Sequence, residues 1–261
     1  MNKFFSIITP VYNRSKYLEK TIKSVLNQKY KNFEYIIVDG KSNDRTSIIL
    51  NKYKSKINII SEKDHGMYDA IKKGFKVAKG KYFMWLNSDD FLKDNCSLLN
   101  AYNYLKKNKK EWITGNISFV TESEKKIKTY FPLIYPRFII KAGLAHGCFW
   151  GFIQQENTIF SQRLYKKSGG INNVYKMAGD YDLWRRFANF EKITSVPISI
   201  AVQRKWKGQL TSDMDFYYLE INKKKCLFNF FYIFRFLLSV IFIFKFFFLG
   251  TFNRSQKETN R

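Results

Sequence analysis

The chain is poor in cysteine, proline, glycine, histidine and acid. Cys96, Cys148 and Cys226 are the only cysteines in 261 residues, too few and too far apart for a disulfide scaffold or a cysteine-rich zinc module. Four prolines and 13 glycines exclude collagen-like and low-complexity architectures. His65 and His146 have no metal-ligand spacing and read as polar loop residues. There is no Gly-x-Gly-x-x-Gly. Gly74 and Gly80-Lys81 stand one residue too far apart for a phosphate loop, and Tyr82 replaces its hydroxyl residue. A Gly-x-Ser-x-Gly elbow for Ser/His/Asp hydrolysis is also missing. Pro10 breaks the first apolar run too early for a signal peptide, so the body is expected in the cytoplasm with its thiols reduced.

Positive charge and aromatic rings are in excess. Lys and Arg number 46 against 21 Asp and Glu, a net charge of +25, and there are 26 Phe and 17 Tyr. Such a composition builds a core, and the length suits one large domain with an appendage. Basic excess attracts nucleic acid, anionic lipid or phosphorylated substrates, or it is a solvated lysine surface. A nucleic-acid binder needs exposed aromatics among its basic residues. Here the aromatics fall within apolar strands and in the C-terminal stretch, so no nucleic-acid partner is expected.

The first half alternates strand and helix. Phe5–Thr9 reads as a strand stopped by Pro10, and Ser15 as the cap of a helix carrying Leu18, Ile22, Val25 and Leu26. Tyr35–Val38 is a continuous apolar strand, as in a sheet covered on both faces. Helical spacing follows around 48–50, a strand at 58–60, a helix over 67–79 and a strand over 82–86. This predicts an α/β fold with a mostly parallel central sheet flanked by helices. In such sheets ligands bind at the carboxyl ends of strands, where Asp39 and Asp89-Asp90 fall. Further on, strands are expected at 112–120 and 157–160 and helices at 162–167 and from 180. Residues 132–153 read as an aromatic lid or acceptor-facing loop.

Residues 226–252 hold 21 apolar residues out of 27, eleven of them Phe. As a helix they would extend roughly 40 Å, enough to cross a bilayer. Arg235 and Lys245 interrupt the run about 80° apart at about 100° per residue. That favours an amphipathic helix lying in the membrane interface, a true span and a buried helix being the alternatives. From Asn222 to Arg261 eight basic residues oppose one acidic, which suits an anionic cytoplasmic leaflet.

Asn87-Ser88-Asp89-Asp90 offers oxygen ligands on a tight turn, suited to a hard divalent cation that bridges substrate phosphates. Asp180 and Asp182 open a helix, where the dipole favours their ionised form and a general base could stand.

Five segments occur in order: Ser6–Asn13, Ile36–Asp44, Ser61–Ala70, Leu86–Asp90 and Gly179–Arg186. Together they resemble the family 2 glycosyltransferases of the GT-A fold, of the bacterial capsule and exopolysaccharide type, over residues 4 to about 205. The resemblance implies a catalytic domain over 1–215, with a nucleotide-binding half 1–120 and an acceptor half 121–215, and the apolar, basic C-terminal run is expected to form a membrane-associating tail over 216–261. It implies inverting transfer from a nucleotide-diphospho-sugar to a glycan or glycolipid acceptor at the cytoplasmic face of the inner membrane. Thr9, Pro10, Tyr12, Asp39, Asp69 and Ser88 would hold the donor, with Asp39 reaching the base. Asp89 and Asp90 would bind Mg²⁺ or Mn²⁺. Asp180 would deprotonate the acceptor, and Gln155 and Glu156 would line the acceptor side. Three positions depart from the family pattern: Asn87 stands where the metal motif usually begins with Asp, Gly179 where the late motif often has Glu, and Lys72-Lys73-Gly74 where Asn commonly precedes the glycine. Asn87 leaves a catalytically weak scaffold of the same fold as an alternative.

Overall fold

The structure, a computed structural model, describes residues 3–147, 150–210 and 213–222. The stretch read as a membrane helix, 226–252, lies outside the described residues, as does all but the start of the 216–261 tail.

The chain begins with β1 (Phe5–Val11), α1 (Ser15–Leu26), β2 (Phe33–Asp39), α2 (Thr46–Tyr53), β3 (Asn58–Ser61), α3 (Met67–Val77) and β4 (Tyr82–Trp85). Next come β5 (Phe91–Leu92), α4 (Ser97–Asn108), β6 (Trp112–Thr121), β7 (Lys126–Tyr130) and α5 (Arg137–Lys141). A 3₁₀ turn (Gln155–Asn157) leads into β8 (Thr158–Ser161) and α6 (Gln162–Lys167), then α7 (Gly179–Phe187), β9 (Thr194–Lys205) and α8 (Met214–Glu220). The strands form one sheet in the order β3-β2-β1-β4-β8-β6-β9-β5, with β7 beside β6.

Side-chain alternation explains why the early strands read as unbroken apolar runs. On β2, Tyr35 and Ile37 enter the core beneath α1, α2 and α4, while Ile36 and Val38 enter the core beneath α3, α6 and α7. Tyr82 and Met84 of β4 divide from Phe83 and Trp85 in the same way. Both faces are covered, so no position calls for a polar residue. The second core is aromatic: Trp85 stacks on Trp184 with centroids 5.7 Å apart, and Trp112 on Trp184 at 5.5 Å.

Three expectations are corrected. The sheet is mixed rather than mostly parallel. β1, β2, β3 and β4 pair in parallel, but β8 runs antiparallel to both β4 and β6, and β5 and β7 pair antiparallel to β9 and β6. β1 does not stop at Pro10. Its pairing with β4 ends at Ile8, whose carbonyl accepts from Leu86 N–H at 2.8 Å. The side that Pro10's missing N–H faces has therefore already lost its partner strand, and β1 pairs on with β2 to Val11. Ser15 is not a cap but the first residue of α1, and its N–H donates to Asp44 Oδ2 at 3.0 Å.

Gly74 has a packing reason. A Cβ there would stand 2.6 Å from Ile8 Cγ2 and 3.2 Å from Val38 Cγ2, so its absence brings α3 down onto β1 and β2. The neighbouring Lys72 donates to Asn173 Oδ1 at 3.3 Å, and Lys73 pairs with Glu62 and Asp69.

Candidate active site

The carboxyl ends of β1 and β4, the loop before α3, the 3₁₀ turn, the start of α7 and the end of β9 enclose one cavity of about 440 Å³. Pro10, Tyr12, Ser88, Asp89, Asp90 and Asp180 all line it, as the sequence predicts. Thr9, Asp39 and Asp69 do not. Thr9 is fully buried in β1 with its hydroxyl 3.0 Å from that of Tyr35. Asp39 accepts from Ser42 N–H at 3.0 Å and from the Ser61 hydroxyl at 2.8 Å. Asp69 accepts from His65 N–H and Asn173 Nδ2 and pairs with Lys73. These three side chains are held by protein groups and shape the walls. The Asp39-Gly40 turn meets the cavity through Asp64, whose Oδ2 lies 2.4 Å from where a Cβ on Gly40 would stand.

The Asn87–Asp90 loop is pinned from behind. The buried Thr21 hydroxyl donates to the carbonyls of Ser88 at 2.9 Å and Asp90 at 2.6 Å. Asp90 is only 1% exposed. It accepts from Arg204 N–H at 2.9 Å and Asn87 Nδ2 at 3.3 Å, tying the loop to β9. Burial, and then the charges of Asp89 and Glu156, push its carboxyl well above the usual range. Both oxygens of this buried carboxyl are thus held by protein groups. Asp89 is different. Trp206 Nε1 at 2.7 Å and Gln209 Nε2 at 3.2 Å both donate to its Oδ2. Its Oδ1 takes no hydrogen bond from a described residue.

Asp180 sits in the first turn of α7. Tyr181 N–H at 2.8 Å and the Tyr68 hydroxyl at 3.2 Å both reach its Oδ1, and the residue lines the cavity. Burial pushes its carboxyl up, these bonds oppose the rise, and it settles at about 6. Tyr68 is buried, also donates to the Met177 carbonyl at 2.8 Å, and has its own ionisation pushed well up by burial. The ring of Tyr68 also explains Gly179: a Cβ there would approach it to 2.9 Å. No acidic neighbour fits beside Asp180. Glu220 of α8 instead accepts from the N–H groups of Lys176 at 2.6 Å, Met177 at 2.8 Å and Ala178 at 2.9 Å.

Sequence reasoning missed Tyr68 and Glu220 as site residues. Tyr68 stands in one of the quoted motifs, but nothing local to it points toward Asp180. Glu220 lies 40 residues beyond the base, in a stretch without a motif. The 132–153 segment, read as a lid or acceptor-facing loop, is largely packed into the body and reaches the cavity through Phe152 and Ile153. Tyr135, Ile139, Ile140, Trp150 and Ile153 are buried, and Trp150 Nε1 donates to the Ile134 carbonyl at 2.6 Å. The residues that overhang the acidic turn are Trp206 and Gln209, with Arg14 stacked 4.9 Å above the Trp206 ring.

The donor set for a cation is all oxygen. Asn87 Oδ1 is buried without a hydrogen-bond partner among the described residues, and the two described donors to Asp89 both go to its Oδ2. Among the described residues no three His, Cys, Asp or Glu side chains form a cage by themselves. This fits a hard divalent ion that takes one or two protein oxygens and completes its shell with phosphate and water.

The family model for Glycosyl transferase family 2 matches residues 6–176. An uncharacterized glycosyltransferase of Rickettsia typhi is 31% identical over 198 residues, 72% of this chain and 59% of its own length. The chain thus spans under two thirds of that relative. Poly(ribitol-phosphate) beta-N-acetylglucosaminyltransferase TarP of Staphylococcus aureus is 36% identical over 119 residues, 43% of this chain and 36% of its own. Residues 1–349 of S. aureus TarS in complex with UDP-GlcNAc superpose with a TM-score of 0.63 at 20% identity, covering 82% of this chain and 63% of that one. The mannosyltransferase PcManGT of Pyrobaculum calidifontis, in complex with GDP-Man and Mn²⁺, superposes with a TM-score of 0.62 at 15% identity, covering 87% and 66%.

Proposed function

The chain belongs to glycosyl transferase family 2, and on that premise we propose that it moves a sugar from a nucleotide-diphospho-sugar to a glycan hydroxyl with inversion at the anomeric carbon. The observation that carries the reading is the pairing of Asp89 and Asp180 on one cavity at the carboxyl ends of the parallel strands β1 and β4. The two carboxylates have separate tasks. Asp180, with a carboxyl near 6, is mostly ionised at neutral pH and still basic enough to take a proton. Its Oδ1 is fixed by Tyr68 and Tyr181, so Oδ2 is the atom that receives the acceptor's hydroxyl proton as the oxygen attacks. Asp89 Oδ1 and Asn87 Oδ1 would hold a divalent cation, which when bound neutralises the charge of the departing diphosphate. Arg14 and Lys205 also line the cavity and add positive charge for the diphosphate.

The acceptor is proposed to be a lipid-linked glycan of a bacterial surface polysaccharide. The similarity to TarP, whose name records transfer to poly(ribitol-phosphate), supports a surface polymer. The basic, phenylalanine-rich residues 222–261 support work at the cytoplasmic face of the inner membrane, against anionic lipid.

The test is turnover of UDP-, GDP- and dTDP-sugars with Mg²⁺ or Mn²⁺, following release of the nucleoside diphosphate. Asp180→Asn is expected to lower kcat by about 100-fold or more while nucleotide binding persists. Full activity in that variant excludes Asp180 as the base. A protein that binds no nucleotide in the presence of Mn²⁺ is the non-catalytic scaffold instead.

A further inference from the structure

Three buried side chains on one wall of the cavity lack the hydrogen bonds their burial demands. Gln155 has no partner for either its oxygen or its nitrogen, Glu156 none for Oε2 and Gln203 none for Oε1, among the described residues. They are 9%, 2% and 6% exposed, and all three line the cavity. A buried donor or acceptor left unpaired is destabilising and is normally satisfied, so three together call for a ligand.

The wall is rigidly built. Gln155 and Glu156 stand on the 3₁₀ turn, and the next residue, Asn157, accepts from Ala201 N–H at 2.8 Å through its side chain. That bond ties the turn to β9, which carries Gln203. The position of the wall is informative as well. Glu156 shares the cavity lining with Asp89 and Asp180, and burial raises its carboxyl. The part of the donor that must sit between the diphosphate and the attacking hydroxyl is the sugar being transferred. Three oxygen acceptors and one amide donor match a ring whose hydroxyls mainly donate.

We propose that Gln155, Glu156 and Gln203 form the recognition subsite for the transferred monosaccharide, with Glu156 Oε2 accepting a hydroxyl or amide proton from the ring. The inference rests on the glycosyl-transfer reading above and goes beyond it by assigning these residues to the donor sugar rather than to the acceptor.

Calorimetry on the full chain with Mn²⁺ tests it, with UDP and GDP alone and then UDP-GlcNAc, UDP-glucose, UDP-galactose and GDP-mannose. At least one sugar conjugate is expected to bind about tenfold more tightly than its bare diphosphate. Glu156→Gln and Gln155→Leu are expected to remove most of that difference and to leave the bare diphosphate within about twofold. Gln155→Leu is also expected to raise Tm, because it replaces an unpartnered amide with an apolar group of similar size, whereas a merely structural role would lower it. If both variants keep the sugar-dependent gain, or if no conjugate shows one, the subsite is refuted while the parent reading stands. If none of the nucleotides binds, the parent reading fails and the subsite falls with it.

Discussion

At the residue scale, Asp180 carries two opposed demands. Its carboxyl sits near 6 in the fold, against 3.8 ordinarily. Between those values the native state holds more protons than the unfolded chain, so its contribution to stability is present below pH about 4 and is lost as pH rises toward 6. Activity moves the other way, since only the ionised form accepts a proton. We therefore expect kcat/KM to fall below pH about 6, with Tyr68, Glu156 and Glu220 the groups surrounding the titration. Asp180→Asn should abolish this acid limb with the activity, and thermal melts at pH 7 should show it more stable by roughly 1–3 kcal/mol. A destabilised variant would mean the carboxylate is held chiefly for structure. Gly179 gives an independent check. Gly179→Ala pushes a methyl into the Tyr68 ring, a strain of about 1–3 kcal/mol. Melts should record that loss, and kcat should fall more than nucleotide affinity because the disturbed bond reaches the base.

At the element scale, Asp180, the proposed base, is positioned by helices that the family motifs do not connect. α3 supplies Tyr68, α7 carries Asp180, and α8 closes the arrangement through three backbone bonds to Glu220. These N–H groups lie just before the start of α7, and a carboxylate answers them with charge as well as hydrogen bonds. Glu220→Ala is expected to cost about 1–3 kcal/mol in denaturant unfolding and to reduce kcat with little change in UDP affinity. Unchanged turnover would show that α8 is incidental to the site. The early strands were legible because periodicity and apolar content are local: Tyr35–Val38 reads as a doubly covered strand and is, and the strand read over 82–86 spans Tyr82–Trp85. The halt at Pro10 was misread because the consequence of a missing N–H depends on whether a neighbouring strand is there to receive it.

At the scale of the whole molecule, the +25 charge and the phenylalanine-rich C-terminal stretch point to an anionic membrane surface. Deleting residues 222–261 should shift the protein from the membrane pellet to the supernatant, and salt should weaken sedimentation of the intact chain, since surface electrostatics are screened. Sedimentation that survives truncation would assign membrane contact to the catalytic body. The mixed sheet also belongs to this scale. The alternation of strand and helix predicted parallel pairing for the first half correctly. In the second half β8 inserts between β4 and β6, and its direction follows from a long-range pairing that no local pattern records.

The amino-acid sequence by itself determined the α/β class, the family and the early strands, and it singled out Asp89 and Asp180 as residues that line the cavity, because motifs and periodicity are properties of neighbours along the chain. Only the tertiary structure decided that Asp90 is buried with both oxygens bonded, that Thr9, Asp39 and Asp69 are engaged by the protein, and that Tyr68 reaches Asp180 while Glu220 holds the N–H groups just before α7. It alone brought Gln155, Glu156 and Gln203 to one wall with their polar atoms unmet. Burial and contact join residues far apart in sequence, and a carboxylate's chemistry is set by what surrounds it rather than by what precedes it in the chain.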